Sequence, residues 1–221
     1  MGLYKKIWGL KQLEKLGFPC PPYQVIDISG DKPVDVEEYV LRKIRQVGIP
    51  TIKDDRIGVT IRVSMPGTLD KFAKHGGLHV TEEKEVLKRV LEKYQQYKPE
   101  GKIVVQHTVD ARCSGTILKE YEDIIVEAIF GDAPPLLEGE LTNYETWIFF
   151  LMHRRWKKEK AYTCGDREVV VLTTSDIQTL EGYAKFLVSN TYLEWSISKS
   201  GKFYFYEYLK LKNGTYLLNL G

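Results

Sequence analysis

Two glutamates near the C-terminal end of the chain have a spacing that suits metal chemistry. The stretch YLEWSISKSGKFYFYEYLKL consists of two β-rich runs around Ser200 and Gly201, which predicts a hairpin with a tight turn. If these two residues are the centre of the turn, or of a four-residue loop, the numbers of opposed residues add up to 401. The sequence therefore predicts that Glu194 faces Glu207 across the hairpin.

Opposed carboxylates on a hairpin need compensation, because their Cβ atoms lie about 4.5–5.5 Å apart and like charges there are destabilising. A divalent cation between them would supply it. Mg²⁺ is commonly held by one or two carboxylates together with substrate phosphates. The residues alone leave a second interpretation open, in which both carboxylates point into solvent beside neighbouring lysines.

Four segments of the chain have the periodicity of amphipathic helices and would position such a site. They are residues 4–16, 36–47 behind Asp35 as N-cap, 82–97 behind Thr81, and a fourth that begins at Ser175 with Gln178 at capping-box spacing. β-Branched and aromatic runs predict strands at 23–27, 58–63, 102–109, 123–130, 144–153 and 168–173. Interspersed helices and strands predict an α+β or α/β fold, and of the two we predict α+β.

The composition is that of a globular protein and excludes several classes of function. Of the 221 residues 43% are hydrophobic and 28% charged, and the net charge of +2 selects neither nucleic acid nor a membrane as partner. The three cysteines form no CxxC pair, which favours the cytoplasm. The basic run at 153–160, HRRWKKEK, allows RNA contact, although a solvated hairpin tip is the commoner interpretation.

Several motifs, in order, resemble the nucleotide-binding domain of pyruvate phosphate dikinase and phosphoenolpyruvate synthase, an ATP-grasp fold. The opening KIWGLKQLEKLGFPCPP and the later IRVSMPGTLD, IVVQHTVDARCSGTIL, VEAIFGDAPPLLEGELTNYE and LEWSISKSGKFYFYEYL each resemble a family motif. The resemblance covers about residues 6–209. It implies two lobes with antiparallel or mixed sheets and flanking helices, residues 1–104 and 105–221, with ATP and Mg²⁺ bound between them.

The resemblance also implies roles for individual residues. Lys6 stands at the family's nucleotide-phosphate lysine and Arg62 at its phosphate-binding, catalytic arginine. The hinge segment from Gln106 through His107 to Val109 would hold the base. Asp110 would then bind the ribose, although a strand-end turn acid is an equal alternative. Glu194 matches the family's metal-binding glutamate, and Glu207 would be the second, catalytic metal ligand.

The sequence departs from the family pattern where transfer chemistry is concerned. Leu209 stands where the family has its transfer arginine, and Val63 follows Arg62 directly, so that the phosphate loop is shorter. A transition-state arginine is worth several orders of magnitude in rate in phosphoryl transfer. The family's phosphohistidine and pyruvate-binding domains do not fit in the remaining residues, so a phosphohistidine-carrying acceptor would be a separate protein.

Two hypotheses about function follow. In the first, the chain transfers a phosphoryl or pyrophosphoryl group from Mg-ATP to a separate protein or a small acceptor, as a kinase-like or dikinase-like phosphotransferase. In the second, it is a catalytically degenerate domain that senses a nucleotide or docks to a partner.

Overall fold

Four helices and twelve strands make up the residues that the structure, a computed structural model, describes: 4–27, 35–50, 55–67, 77–98, 100–121, 123–132, 143–150 and 155–211. The helices are α1 (Lys5–Lys15), α2 (Val36–Val47), α3 (Glu83–Tyr97) and α4 (Thr174–Ala184). The strands are β1 (Tyr23–Asp27), β2 (Arg56–Ser64), β3 (Gly77–Val80), β4 (Lys102–Val109), β5 (Ala111–Glu120), β6 (Asp123–Phe130), β7 (Glu145–Phe150), β8 (Arg155–Lys160), β9 (Tyr162–Cys164), β10 (Arg167–Val169), β11 (Thr191–Ser198) and β12 (Phe203–Lys210). The predicted α+β class is confirmed.

The chain divides into two compact units. The first comprises Met1–Lys11 and Cys20–Asp110, and the second comprises Gln12–Pro19 and Ala111–Gly221. No helix within the described ranges is both long and apolar enough to span a bilayer.

The first unit is built on a four-stranded antiparallel sheet in the order β1-β4-β2-β3. Alternation along β2 and β4 places one set of apolar side chains on a single face, where helices α2 and α3 cover them. That core consists of Ile26, Val59, Ile61, Val63, Val80, Ile103 and Val105 from the strands with Val40, Ile44, Val86, Val90 and Tyr94 from the helices. The opposite face carries a smaller apolar cluster, in which Ile7 and Leu10 of α1 pack against Val104, and the polar residues Arg62 and Gln106 lie on the same face.

Capping explains where α2 begins, whereas α3 begins later than predicted and without a capping hydrogen bond. Asp35 accepts a hydrogen bond from the Glu38 amide at 2.9 Å, as expected of an N-cap. The predicted Thr81 cap of α3 is wrong, because the helix begins at Glu83 behind Glu82, whose side chain makes no capping bond.

The second unit is built on a six-stranded antiparallel sheet in the order β12-β11-β5-β6-β7-β8. One of its faces is apolar and packs against α4, where the Tyr183 ring lies 4.8 Å from that of Phe205. The face is centred on Trp195, which is fully buried and lies opposite Gly115 on β5. Gly115 has no alternative here, since a Cβ at this position would come within 1.8 Å of the Glu127 carbonyl oxygen.

Helix α4 begins one residue earlier than predicted, at Thr174. Its capping box joins Thr173 and Asp176, whose carboxylate accepts from the Thr173 amide at 2.8 Å. The predicted pair of Ser175 and Gln178 is therefore wrong. Asp176 also accepts two hydrogen bonds from the Arg112 guanidinium, which ties the start of the helix to β5.

A buried glutamate fixes the segment that leads into α4. Glu145 on β7 is fully buried and accepts hydrogen bonds from the amides of Val171 and Leu172 at 3.1 and 3.2 Å. The Lys158 ammonium lies 3.4 Å from the same carboxylate and balances its charge. This carboxylate is satisfied by the protein itself, so its role is structural.

The basic run at 153–160 has a different place from the one predicted. Its described part, Arg155–Lys160, is β8, the edge strand of the six-stranded sheet. The hairpin-tip prediction is wrong for these residues, since Trp156 of β8 packs at 5.2 Å from Phe149 of β7. Lysines along an edge strand discourage pairing with another chain, which gives the charges a structural reason.

Candidate functional site

The C-terminal hairpin places the two predicted glutamates opposite each other. Glu194 of β11 pairs with Glu207 of β12, as predicted from the spacing. Directly opposed residues point to the same side of a sheet, so both carboxylates lie on the face away from Trp195. Glu207 is buried and Glu194 is half-buried, which excludes the interpretation that both simply point into solvent.

The pairing arises by a different route from the predicted one. Next to the loop Trp195 pairs with Phe205, so that opposed numbers add up to 400, and a bulge at Tyr206 raises the sum to 401 at Glu194. The loop itself has three residues between Ser198 and Lys202, and it closes through Gly201 at a φ of 89°. Three-residue hairpin loops usually end with a residue in the left-handed conformation, and glycine adopts it most easily.

The glutamate pair is part of a polar row that crosses all six strands. The strand registers align Glu207, Glu194, Thr116, Glu127, Thr146 and Lys160, in the order β12-β11-β5-β6-β7-β8. Next to this row, the buried hydroxyls of Ser114 and Ser196 bond to each other at 2.8 Å. A polar row on interior strands is expensive to bury, which marks this face as a candidate binding surface.

Glu127 is the acidic residue of this row that sequence reasoning did not assign to the site. Burial raises the pKa of its carboxyl, and this outweighs the hydrogen bond from Thr116 at 3.3 Å and the charge of Lys160. The pKa of Tyr144 is raised as well, by burial and by the charge of Glu127. The sequence does contain an indication of this role, because Glu127 is the one charged residue in the interior of the apolar run DIIVEAIF. Strand alternation places it on the sheet face that carries the polar row.

The donor set of this face fits a hard cation bound jointly with a ligand. Within the ranges that the structure describes, no group of three or more His, Cys, Asp or Glu side chains is arranged to hold a metal ion. Two carboxylates alone satisfy only part of the coordination of Mg²⁺, which accepts water and phosphate oxygens for the rest. The residues therefore fit a magnesium ion whose remaining ligands are water or phosphate oxygens.

In the first unit, the structure brings Lys6 and Arg62 together. The Lys6 ammonium donates a hydrogen bond to the carbonyl of Val63 at 3.1 Å, next to Arg62 on β2. Arg62 is 5% exposed and lies on the sheet face opposite α2 and α3, since its alternation is out of phase with Ile61 and Val63. Two cations at one place on a sheet suit an anionic ligand.

Gln106 lies on the same sheet face as Arg62. It pairs with Thr60 on β2, two residues from Arg62, which makes the two side chains diagonal neighbours. Gln106 is 1% exposed, and its amide nitrogen has no hydrogen-bond partner among the described residues. A buried donor without an acceptor costs about 1–3 kcal/mol, and a bound ligand would relieve that cost.

His107 and Val109 point their side chains to the other face. The His107 ring lies 2.9 and 3.0 Å from the carbonyls of Val47 and Gly48 through Nε2, and 3.0 Å from Arg56 through Nδ1. Burial lowers the pKa of this imidazole, so it is neutral, with Nε2 donating to the carbonyls. A nucleotide base at this strand would thus meet the main chain of His107 and not its ring.

Asp110, the last of the predicted residues, directly follows the end of β4. The Asp110 amide donates to the Asp55 carbonyl at 2.7 Å, which closes the strand against the start of β2. The residues that follow IRVSMPG in its motif, at 68–76, lie outside the described residues. Lys6, Arg62 and the hinge belong to the first unit, and Glu194 and Glu207 to the second.

Comparison with known proteins gives structural likenesses only. No family model matches the chain, and no curated protein does either. D-alanyl-alanine synthetase A from Vibrio cholerae is 13% identical, with a TM-score of 0.49 over 94% of this chain and 55% of that one. An N5-carboxyaminoimidazole ribonucleotide synthetase in its ADP complex is 13% identical, with a TM-score of 0.48 over 96% and 46%.

A third solved structure is an ATP-grasp ligase from Chryseobacterium gregarium in complex with ADP and a leader and core peptide. It is 14% identical, with a TM-score of 0.45 over 90% of this chain and 49% of that one. The chain thus spans about half the length of each of these three proteins.

Proposed function

We propose that the chain binds Mg-ATP as an ATP-grasp protein and transfers a phosphoryl or pyrophosphoryl group to a separate acceptor. The acceptor is a small molecule or a phosphohistidine-carrying protein. Lys6, Arg62 and Gln106 would bind phosphates, the main chain from Gln106 to Val109 the base, and Asp110 the ribose. Glu194 and Glu207 would hold the metal.

The observation that carries this proposal is the opposed pair Glu194 and Glu207. Two opposed carboxylates on one face of a sheet form the kind of ligand pair that holds Mg²⁺ together with phosphate oxygens. A magnesium ion there neutralises phosphate charge during transfer, which is the chemistry that the ion supplies when bound. The protein's part is to orient the two carboxylates through the hairpin register.

The cationic residues of the first unit supply the complementary half of the proposal. The Arg62 guanidinium can bind two phosphate oxygens at once, and the Lys6 ammonium adds a second positive charge beside it. The unpartnered amide of Gln106 on the same face gives a further donor. This set binds and orients polyphosphate, while the motif order in the sequence supports ATP as its source.

Calorimetric titration with ATP, with and without Mg²⁺, tests the proposal. We expect Mg²⁺-dependent binding to the native chain and a loss of about tenfold or more in affinity for Arg62→Ala, Glu194→Gln and Glu207→Gln. Matched controls are Arg167→Ala on β10 and Glu92→Gln on α3, both at exposed positions. Binding that is absent in the native chain, or equal in all variants, would refute the nucleotide site.

Product analysis then identifies the reaction. Phosphoryl transfer leaves ADP, whereas pyrophosphoryl transfer leaves AMP, and either product should disappear with Glu207→Gln. A ligase would leave ADP and inorganic phosphate together with a new bond between an added acid and amine, which would contradict direct transfer to a histidine.

A second candidate, a nucleotide sensor without turnover, rests on Leu209. This residue occupies β12 directly opposite Tyr192 and supplies no charge where transfer chemistry of the resembling family has an arginine. Mg²⁺-dependent ATP binding without ADP or AMP formation in the presence of acceptors would favour the sensor. Leu209→Arg should then be assayed for a gain of turnover.

A further inference from the structure

The second unit contains a pocket on the sheet face opposite the glutamate pair. It lies between α4 and the outer strands and has a volume of about 770 Å³. Its floor is apolar, formed by Ile124, Phe149 and Ile177, with the indoles of Trp147 and Trp156 beside them. A cavity of this size and lining is typical of ligand sites, and the nucleotide proposal makes no use of it.

Positive charge predominates at the pocket. Lys119, Arg155 and Lys185 line it, against the single carboxylate of Glu181. Burial raises the pKa of Glu181, but hydrogen bonds from Lys185 and from the Trp156 indole lower it overall, so this carboxylate is charged and already paired. Arg155 forms no ion pair with any residue in the described ranges, so its charge is available to a ligand.

The apolar surface extends out of the pocket along its rim. Tyr121, Phe186 and Val188 are 75%, 69% and 52% exposed. Tyr121 belongs to the turn between β5 and β6, and its amide donates to the Ser189 hydroxyl at 2.8 Å beside Val188. Tyr121 lines the pocket, and Phe186 and Val188 are chain neighbours of its lining residues Lys185, Leu187 and Ser189. A small molecule confined to the cavity would leave these apolar side chains exposed.

Tyr121 also has an unfavourable backbone conformation. Its φ of 51° is left-handed, where a tyrosine costs about 1–2 kcal/mol and glycine or asparagine would be accommodated more easily. An aromatic ring held in solvent at such a cost is consistent with selection for contact.

We propose that the pocket and its rim dock an acidic, apolar peptide segment of a partner protein. An aromatic or leucine side chain fills the cavity between the two indoles. Carboxylates that flank it in the peptide meet Arg155 and the lysines, and further apolar residues cover Tyr121 and Phe186. The positive charge and the apolar rim together favour an acidic peptide with apolar residues. The apolar floor of the pocket favours a large apolar side chain in that peptide.

Fluorescence anisotropy with defined peptides tests this docking on the full chain. The probe is a fluorescein-labelled peptide DELFDLDE, with KKLFKLKK and DESSDSDE as matched peptides that lack the acids and the apolar residues. We expect the first to bind in the micromolar range and the others at least about tenfold more weakly. Arg155→Glu should weaken the first by about tenfold, whereas the matched control Arg167→Glu should not.

The apolar rim has its own matched pair of variants. Phe186→Ser should weaken DELFDLDE several-fold, while Val170→Ser, which removes another exposed apolar side chain on the same unit, should leave it unchanged. Calorimetry with Mg-ATP should be unaffected by Arg155→Glu, so failure of the docking proposal and failure of the nucleotide proposal are separable.

Three results would overturn the docking proposal. The first is equal binding of all three peptides, or of none. The second is binding of free indole-3-acetate as tight as that of the acidic peptide, which would make this a small-molecule site. The third is a dimer in light scattering that Phe186→Ser dissociates, which would assign the rim to a second copy of the chain.

Discussion

The two sheets of the molecule have the same design but opposite charge on their polar faces. In the first unit the polar face carries Arg62 with Lys6 beside it, and in the second it carries Glu194 and Glu207. Each sheet has its other face filled by apolar side chains under helices. Burial of a charge on one face of a sheet is costly, and the two units therefore have to stabilise charges of opposite sign.

Disruption of the second sheet at its most crowded point should give the largest effect. Gly115→Ala places a methyl group within 1.8 Å of the Glu127 carbonyl oxygen and 2.8 Å of the Trp195 ring, so backbone must move. We expect a loss of about 3 kcal/mol in the free energy of unfolding, measured by urea denaturation.

Gly182→Ala in α4 is the control, because the methyl group that it adds would have no neighbouring atom within 4 Å and alanine favours a helix. It should stabilise by about 0.5–1 kcal/mol. Similar destabilisation by both variants would contradict the crowding at Gly115.

Removal of the structural carboxylate should come next. Glu145→Ala leaves the amides of Val171 and Leu172 without their acceptor and removes one of the two carboxylates that pair with Lys158, and we expect a loss of about 3 kcal/mol or somewhat less. Glu168→Gln, which affects a mostly exposed pair with Lys158, should cost about 0.5 kcal/mol or less. Equal effects of the two in thermal denaturation would mean that burial of Glu145 contributes nothing.

Glu127 should behave in the opposite way to Glu145. Because burial raises the pKa of Glu127 in the folded chain, its stabilising contribution is complete below the ordinary pKa of 4.5 and is lost as pH rises through the raised value. Glu127→Gln should therefore be as stable as the native chain near pH 4 and more stable at pH 7. The control Glu92→Gln should show no such dependence, and a constant difference at all pH values would contradict the raised pKa.

The first unit should respond to pH with the other sign. Burial lowers the pKa of His107, so the folded chain favours the neutral imidazole, and stability is lost as pH falls from above 6.5 through the lowered value. Between pH 7.5 and 5.5 the native chain should lose more free energy of unfolding than His107→Gln. This is the smallest of the four effects, and parallel pH profiles of the two proteins would exclude it.

Helix α2 of the first unit and the C-terminal hairpin of the second differ in how much of their structure the sequence predicts. The sequence predicts helix α2 to the residue, since Asp35 caps it and Gly48 ends it with a φ of 70°. It also predicts the facing of Glu194 and Glu207, because a hairpin transmits its register over a few residues, but it does not predict the bulge that completes this facing. Pairing depends on both strands at once, and no single stretch of sequence records an extra residue.

Two strands that the sequence does not predict show the limits of reading alternation. β5 contains Arg112, Ser114 and Thr116, so its polar side chains hide the hydrophobic pattern although the strand lies in the middle of the sheet. β8 consists almost entirely of charged residues because it is an edge. In both cases the tertiary position of the strand, which the local sequence does not specify, explains its residues. The roles of Lys6, Arg62 and the hinge in binding ATP stay predictions.

The bulge at Tyr206 has a consequence for finding relatives of this chain. With this three-residue loop, Glu194 and Glu207 are thirteen positions apart because one strand carries an additional residue. A related hairpin with the same loop and no bulge would oppose two acids that are twelve positions apart. A search that fixes the interval between the two glutamates would discard such a homologue, whereas one that tolerates a single insertion between them would recover both forms.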